Sequence, residues 1–184
     1  VLRKILTGMI LFCSALNLQA NEGDTRYLAG LLSFHQEGYA EISTYAFGGV
    51  LGITRPFSRR TWAGWRAETG YRQHSSLQAT EGNWISSLHG SIGLEATVPI
   101  PRFQHILRPH LAAGNLLHHI AQPVDTEDDR LKDEWYLDRF LELGLELSLR
   151  IDDDPGSSSV FIAPRLWIFA QGGFAIPVLV GLRR

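Results

Sequence analysis

The sequence predicts an all-β protein: eight antiparallel strands closed up-and-down into a transmembrane β-barrel. Three observations lead there. Long segments alternate strictly between aliphatic and other residues. The non-aliphatic faces carry charges mixed with small residues, a poor match to an ordinary wet surface. The chain also opens on an export-type segment, ahead of a region with no cysteine and a single lysine.

The alternation is plainest in FLELGLELSLRI, Phe140 to Ile151. Leu141, Leu143, Leu145, Leu147, Leu149 and Ile151 occupy every second position. A helix would scatter these residues over two stripes, whereas a strand places all six on one face. Seven further segments follow the same logic, separated by turn-rich punctuation. They lie near Arg26 to His35, Ala40 to Thr54, Trp62 to Arg72, Trp84 to Pro99, Ile106 to Ile120, Ser159 to Ala170 and Phe174 to Arg183. Most exceed the roughly 5–6 residues usual in soluble strands and suit tilted membrane strands of about 9–11 residues with extensions. The connections QEGY, HSSLQATEGN, the acidic AQPVDTEDDRLKDE and AQGG fall at one end. FSRRT, IPRFQ and DDDPGSSS fall at the other. Long loops outside and short turns inside are the outer-membrane habit, followed here imperfectly because QEGY and AQGG are tight.

The third strand sets Ala63, Trp65, Ala67, Thr69 and Tyr71 against Gly64, Arg66, Glu68, Gly70 and Arg72. The fourth sets Leu88, Ile92, Leu94 and Val98 against Ser87, His89, Ser91 and Glu95. The fifth sets Leu107, Leu111 and Leu117 against Arg108, His110 and His118. The seventh sets Val160, Ile162 and Ile168 against Phe161, Ala163, Arg165 and Trp167. A water-soluble sandwich would bury the aliphatic faces and expose the polar ones. Its surface would ordinarily be rich in lysine, yet residues 21–184 hold 14 Arg and only Lys132. Arginine suits enclosed pairs with carboxylates, and small residues suit the crowded inside of a narrow barrel. The aliphatic faces are therefore expected in hydrocarbon. Arg66, Glu68, Arg72, Arg108, Glu142, Glu146, Arg150 and Arg165 are expected in a lumen ion-pair network, with His89, Ser91, Glu95, His110 and His118 on the same interior face. Aromatic residues near strand ends, among them Tyr27, Tyr45, Trp62, Trp84, Trp135 and Phe174, are expected in interfacial girdles, with Trp65 and Trp167 deeper.

Arg3 and Lys4 followed by an apolar run to Leu16, and Ala20 before Asn21, match a cleaved signal peptide over residues 1–20. The bulky Phe12 before Cys13 argues against lipoprotein processing. Processing leaves 15 basic and 19 acidic residues, a net charge of −4, which argues against a nucleic-acid partner. Without a thiol in residues 21–184, disulfides and cysteine-based zinc sites are excluded there.

In these features the chain resembles the small eight-stranded outer-membrane β-barrels of Gram-negative bacteria, the OmpA/OmpX-like group. The resemblance covers residues 21–184 and rests on architecture, including the closing VLVGLRR. It implies residence in the outer membrane as a monomer, contact with outer-membrane lipid and lipopolysaccharide, and delivery by the barrel-assembly machinery. Such chains typically end in an aromatic residue, whereas this sequence stops at Arg184. Either the assembly signal differs or the sequence continues into a longer parent.

The chemistry expected is modest. An eight-strand barrel is just wide enough for its own side chains, so a structural or surface-interaction role leads, with a narrow pore as an alternative. LHGSIGLE is similar to the lipid A 3-O-deacylase barrels, with His89, Ser91 and Glu95 as weak catalytic candidates. Ile92 stands where that family has Asn, and the stretch is mid-chain. His118 and His119 face opposite ways on a strand and make poor joint ligands. The acids of DTEDDRLKDE lack the spacing of a calcium loop. No metal and no cofactor are expected.

Overall fold

The computed structural model describes residues 24–36, 45–58, 62–74, 84–100, 105–123, 131–151 and 158–184. These form β1 (Thr25–Gln36), β2 (Tyr45–Pro56), β3 (Ala63–His74), β4 (Trp84–Ala96), β5 (Val98–Ile100), β6 (His105–Pro123), β7 (Leu131–Arg150), β8 (Ser159–Phe169) and β9 (Phe174–Arg183). β5 continues β4 after a break at Thr97. Both pair with β6, so nine strands make eight staves. The register with β6 is the same on both sides of the break, Glu95↔His110 before it and Val98↔Leu107 after it. It sets Ala96 opposite Pro109, which has no amide to give. On the other side the Thr97 amide continues toward β3, donating to the Trp62 carbonyl.

Each stave pairs antiparallel with its sequence neighbours. The sheet closes where β1 meets β9, from Tyr27↔Arg183 to Gln36↔Phe174. Closure removes both free edges. The termini of the barrel lie together at one end, here the proximal end; the β6–β7 hairpin and the β8–β9 turn lie at the distal end. Gly172 and Gly173 adopt positive φ in that turn (97° and 80°), a conformation that glycine reaches without steric cost.

The period of two sorts the side chains inside or outside. Leu141 is 56% exposed and Leu145 43%, while Glu142 and Glu146 are fully buried. β8 repeats the pattern, with Val160, Ile162 and Ile168 outward and Phe161, Ala163, Arg165 and Trp167 inward. This inverts the usual water-soluble arrangement, in which aliphatic side chains are buried and charges solvated.

Three details differ from the sequence reading. The acidic segment read as a loop from Ala121 to Glu134 is partly strand, because the β6–β7 ladder runs on to Pro123↔Leu131. Tyr27 is buried inside the barrel and takes no part in a girdle; it shares the inward face of β1 with Ala29, Leu31, Ser33 and His35. The interior also holds large apolar side chains among its charges and small residues: one cluster contains Leu31, Val50, Phe161 and Leu179, another Leu116, Phe140, Trp167 and Phe169. Residues 1–20 and 40–44, expected as signal peptide and as the start of the second strand, lie outside the described residues.

Candidate functional site: the barrel interior

Side chains from opposite walls meet across the axis, and they form layers. In the proximal layer Glu146 of β7 accepts from Arg183 of β9 (2.6 Å), Arg108 of β6 (3.0 Å) and the Ser148 hydroxyl (2.7 Å). Arg183 also reaches Glu95 of β4 (3.1 Å) and the Thr54 hydroxyl (3.0 Å). Arg66 of β3 joins this layer to the next, lying 3.4 Å from Glu95 and 2.9 Å from Glu68.

Glu68 is the hub of the middle layer. Its carboxylate accepts from Arg165 of β8 (2.5 Å), Arg66 (2.9 Å) and the Tyr27 hydroxyl (2.5 Å). Glu142 of β7 sits beside it, bound by the Trp167 indole N–H (2.6 Å), His110 (2.9 Å) and Arg165 (3.3 Å). A Cβ on Gly144 would collide with the His110 imidazole, so a residue with no side chain keeps His110 in reach of Glu142.

Distal to Glu142 the chemistry changes. Trp167 stacks on Phe140 with ring centroids 4.2 Å apart, and the Arg72 guanidinium lies 4.5 Å over the indole. Beyond them the Ser87 hydroxyl lies between His74 Nε2 (2.6 Å) and His118 Nδ1 (2.8 Å), and His35 stacks on His74 at 5.2 Å.

The buried charged residues among those described are five arginines (Arg66, Arg72, Arg108, Arg165, Arg183), four glutamates (Glu68, Glu95, Glu142, Glu146) and Asp138. With neutral histidines these charges balance. Balance matters because an unmatched ion costs several kcal/mol once removed from water.

Of the sequence candidates, Arg66, Glu68, Arg108, Glu142, Glu146 and Arg165 are brought together. Arg72 packs over Trp167. Arg150 is exposed at the end of β7, past the last interior layer at Ser148, and makes no ion pair among the described residues. His89, Ser91 and Glu95 share one face of β4 without forming a relay. His89 lies against Trp167 (5.1 Å between rings) and 3.6 Å from Glu68, the Ser91 hydroxyl has no hydrogen-bond partner among the described residues, and Glu95 is held by arginines. His118 faces inward, while His119 packs outside on Trp135 at 4.5 Å. No group of three metal-ligating side chains occurs among the described residues.

Sequence reasoning missed Arg183, Tyr27 and Ser148 as members of the network. The signal for Arg183 and Ser148 was strand parity. For Tyr27 it was blurred by leucines on both faces of β1, at Leu28 and Leu31.

Comparison with solved structures decides what kind of barrel this is. The attachment invasion locus protein Ail of Yersinia pestis matches with a TM-score of 0.58 at 11% identity, over 89% of this chain and 100% of Ail. The chain has the fold of the small eight-stranded outer-membrane barrels. Neisserial surface protein A matches with a TM-score of 0.57 at 8% identity, over 90% of this chain and 98% of that protein. A major outer membrane protein of Thermus thermophilus gives 0.56 at 10% identity, over 86% and 98%. Ail has also been solved in complex with the heparin analogue sucrose octasulfate. No protein-family model and no curated protein matches the chain.

Proposed function

We propose that the protein is an integral outer-membrane barrel with a structural or surface-interaction role, its lumen closed by paired side chains and its first 20 residues removed on export. The observation that carries this reading is the inverted wall: aliphatic side chains outside, charges inside. Hydrocarbon is the solvent that makes this arrangement favourable. The proximal end, with the termini, then faces the periplasm, and the distal end faces outward. A pore is disfavoured because Arg66, Arg165, Glu68 and Glu142 meet across the axis within hydrogen-bond reach. Hydrolysis is disfavoured because, among the described residues, the Ser91 hydroxyl has no hydrogen-bond partner and so no base to activate it.

The test is insertion and orientation. Residues 21–184 should fold in detergent or bilayers with a β-rich circular dichroism spectrum and heat-modifiable gel mobility, and should give no discrete conductance in planar bilayers. Cysteines introduced at Leu143 and Leu145 should react with a photolabel dissolved in the lipid, and cysteines at Ala163 and Ser148 should not. Leu145→Arg should cost about 2–4 kcal/mol of folding free energy in bilayers, the usual penalty for arginine near the midplane. A chain that remains soluble and monomeric without detergent, or that labels equally at all four positions, overturns the membrane reading. Regular single-channel steps overturn the closed lumen alone.

A further inference from the structure

The proximal end of the interior opens into a vestibule of about 270 Å³, the volume of about nine waters at ~30 Å³ each. Its floor is the Glu95–Arg183 pair. Behind that floor Glu146 binds Arg183 and Arg108, so paired side chains close the interior below it. Its walls include Thr25 and Thr54, register partners on β1 and β2, together with Ile106 and Arg150. Trp62 also lines it. This residue lies opposite Thr97, whose amide donates to its carbonyl, and it continues the inward parity of Gly64 and Arg66. Its side chain, 69% exposed, therefore stands over the vestibule, where the sequence suggested a girdle.

The vestibule is short of negative charge. Four arginines line it, Arg55, Arg108, Arg150 and Arg183, against one carboxylate, Glu95. Asp24 binds Arg55 (2.6 Å) at the rim, and Glu146 binds Arg108 (3.0 Å) and Arg183 (2.6 Å). Three carboxylates thus meet four guanidinium groups, and Glu95 is further shared with Arg66 behind the floor. The surplus cation is Arg150. It is exposed, and its guanidinium makes no hydrogen bond or ion pair among the described residues. On the floor, Arg183 is buried, and its Nε has no hydrogen-bond partner among the described residues. Two arginines therefore present N–H donors without acceptors in one small concavity.

We propose that the vestibule is a binding site for a small organic oxyanion. A carboxylate or phosphate group sits between Arg150 and the Arg108–Arg183 edge, and the body of the molecule lies against Trp62 and Ile106. The arginine fork suits this chemistry because its planar N–H pairs match carboxylate and phosphate oxygens bidentately. The volume falls just under the usual range of small-molecule pockets, about 300–1,000 Å³, so the occupant is small. With the interior closed behind Glu146, the vestibule is a dead end: it holds an anion and does not pass it. Binding itself does not depend on the membrane. The membrane reading adds only that this end faces the periplasm, which makes the ligand a periplasmic solute.

The experiment is isothermal titration calorimetry of the folded full barrel in non-ionic detergent, with succinate and inorganic phosphate as probes. Ionic strength is held constant, because screening weakens exposed charges, and sodium chloride is titrated as the control. Heat-modifiable mobility is recorded for every variant. The wild type should bind at least one probe saturably at a single site, and the tighter of the two identifies the head group. Arg150→Ala and Arg150→Gln should weaken binding about tenfold, the scale of one charge-assisted contact. Arg150→Glu should abolish it, and Arg150→Lys should retain part of it. Arg139→Ala, which removes an exposed arginine of β7 at the distal end, should leave it unchanged. The site is overturned if neither probe saturates, if chloride gives the same heats, or if folded Arg150→Ala and Arg150→Gln bind like the wild type. A wild type that never acquires heat-modifiable mobility overturns the barrel on which the vestibule depends.

Discussion

The two halves of the barrel interior are held together differently. In the proximal half, four carboxylates are each gripped by two or more donors from different staves. In the distal half, rings and hydroxyls predominate: Phe140 on Trp167, His35 on His74, and Ser87 between two imidazoles. The same wall encloses both, and of the buried charges among the described residues only Arg72 and Asp138 lie in the distal half, so the contrast weighs a layer built on charge against one built mainly on rings. A charged layer fixes which staves face one another, because a mispaired guanidinium would be left desolvated and alone. A ring layer fills volume and tolerates small shifts.

The sharpest way to break the comparison is to remove the hub. Glu68→Ala strips Arg165, Arg66 and Tyr27 of a shared acceptor. Breaking a buried ion pair typically costs about 3–5 kcal/mol, and the urea midpoint of the folded barrel should fall accordingly. Glu68→Gln keeps the shape and drops the charge. If charge is what matters, it should lose most of the same stability. If Gln restores the wild-type midpoint, the layer works by packing and hydrogen bonding, and the contrast between the halves dissolves.

Trp167 lies at the junction and should give an intermediate effect. Its indole N–H donates to Glu142 on the proximal side, while its ring carries Phe140 and Arg72 on the distal side. Trp167→Phe keeps a ring and deletes the donor. A hydrogen bond to a charged group contributes about 1.5–3 kcal/mol, and a loss in that range is expected, accompanied by a change in near-ultraviolet dichroism. A loss as large as that of Glu68→Ala would mean that ring packing weighs as much as charge.

Much of this arrangement was legible in the sequence, for a physical reason. A period of two leaves no freedom about which residues share a face, so Glu142, Glu146, Arg66 and Arg165 were readable as interior from their aliphatic neighbours alone. The pairings were not readable. Arg165 reaches Glu68 across 97 residues and Arg183 reaches Glu95 across 88, because partners meet across the lumen. Which ones meet depends on the stagger of all eight staves, a property of closure that no single strand encodes. Arg150 has the right parity and the wrong height: its strand outruns the last interior layer. His118 was readable as interior, but its grouping with His35 and His74 was not. His35, His74 and His118 come from three strands, and only the closed wall makes them neighbours.

The smallest effect is expected at that histidine layer. Ser87 lies 2.6 Å from His74 Nε2 and 2.8 Å from His118 Nδ1. A hydroxyl can donate to one ring nitrogen while accepting from the N–H of the other. Ser87→Ala removes both bonds and leaves no ion behind. A neutral intramolecular hydrogen bond is worth about 0.5–1.5 kcal/mol net, and water entering the distal mouth can satisfy part of what is lost. The expected cost is therefore about 1 kcal/mol, measured as a urea midpoint shift well below that of Glu68→Ala. Ser87→Cys should fall between wild type and Ala, because a thiol is a weaker partner of similar shape. A Ser87→Ala loss equal to that of Glu68→Ala would show the distal layer to be as demanding as the charged one, and specification of the barrel would then belong to its whole length.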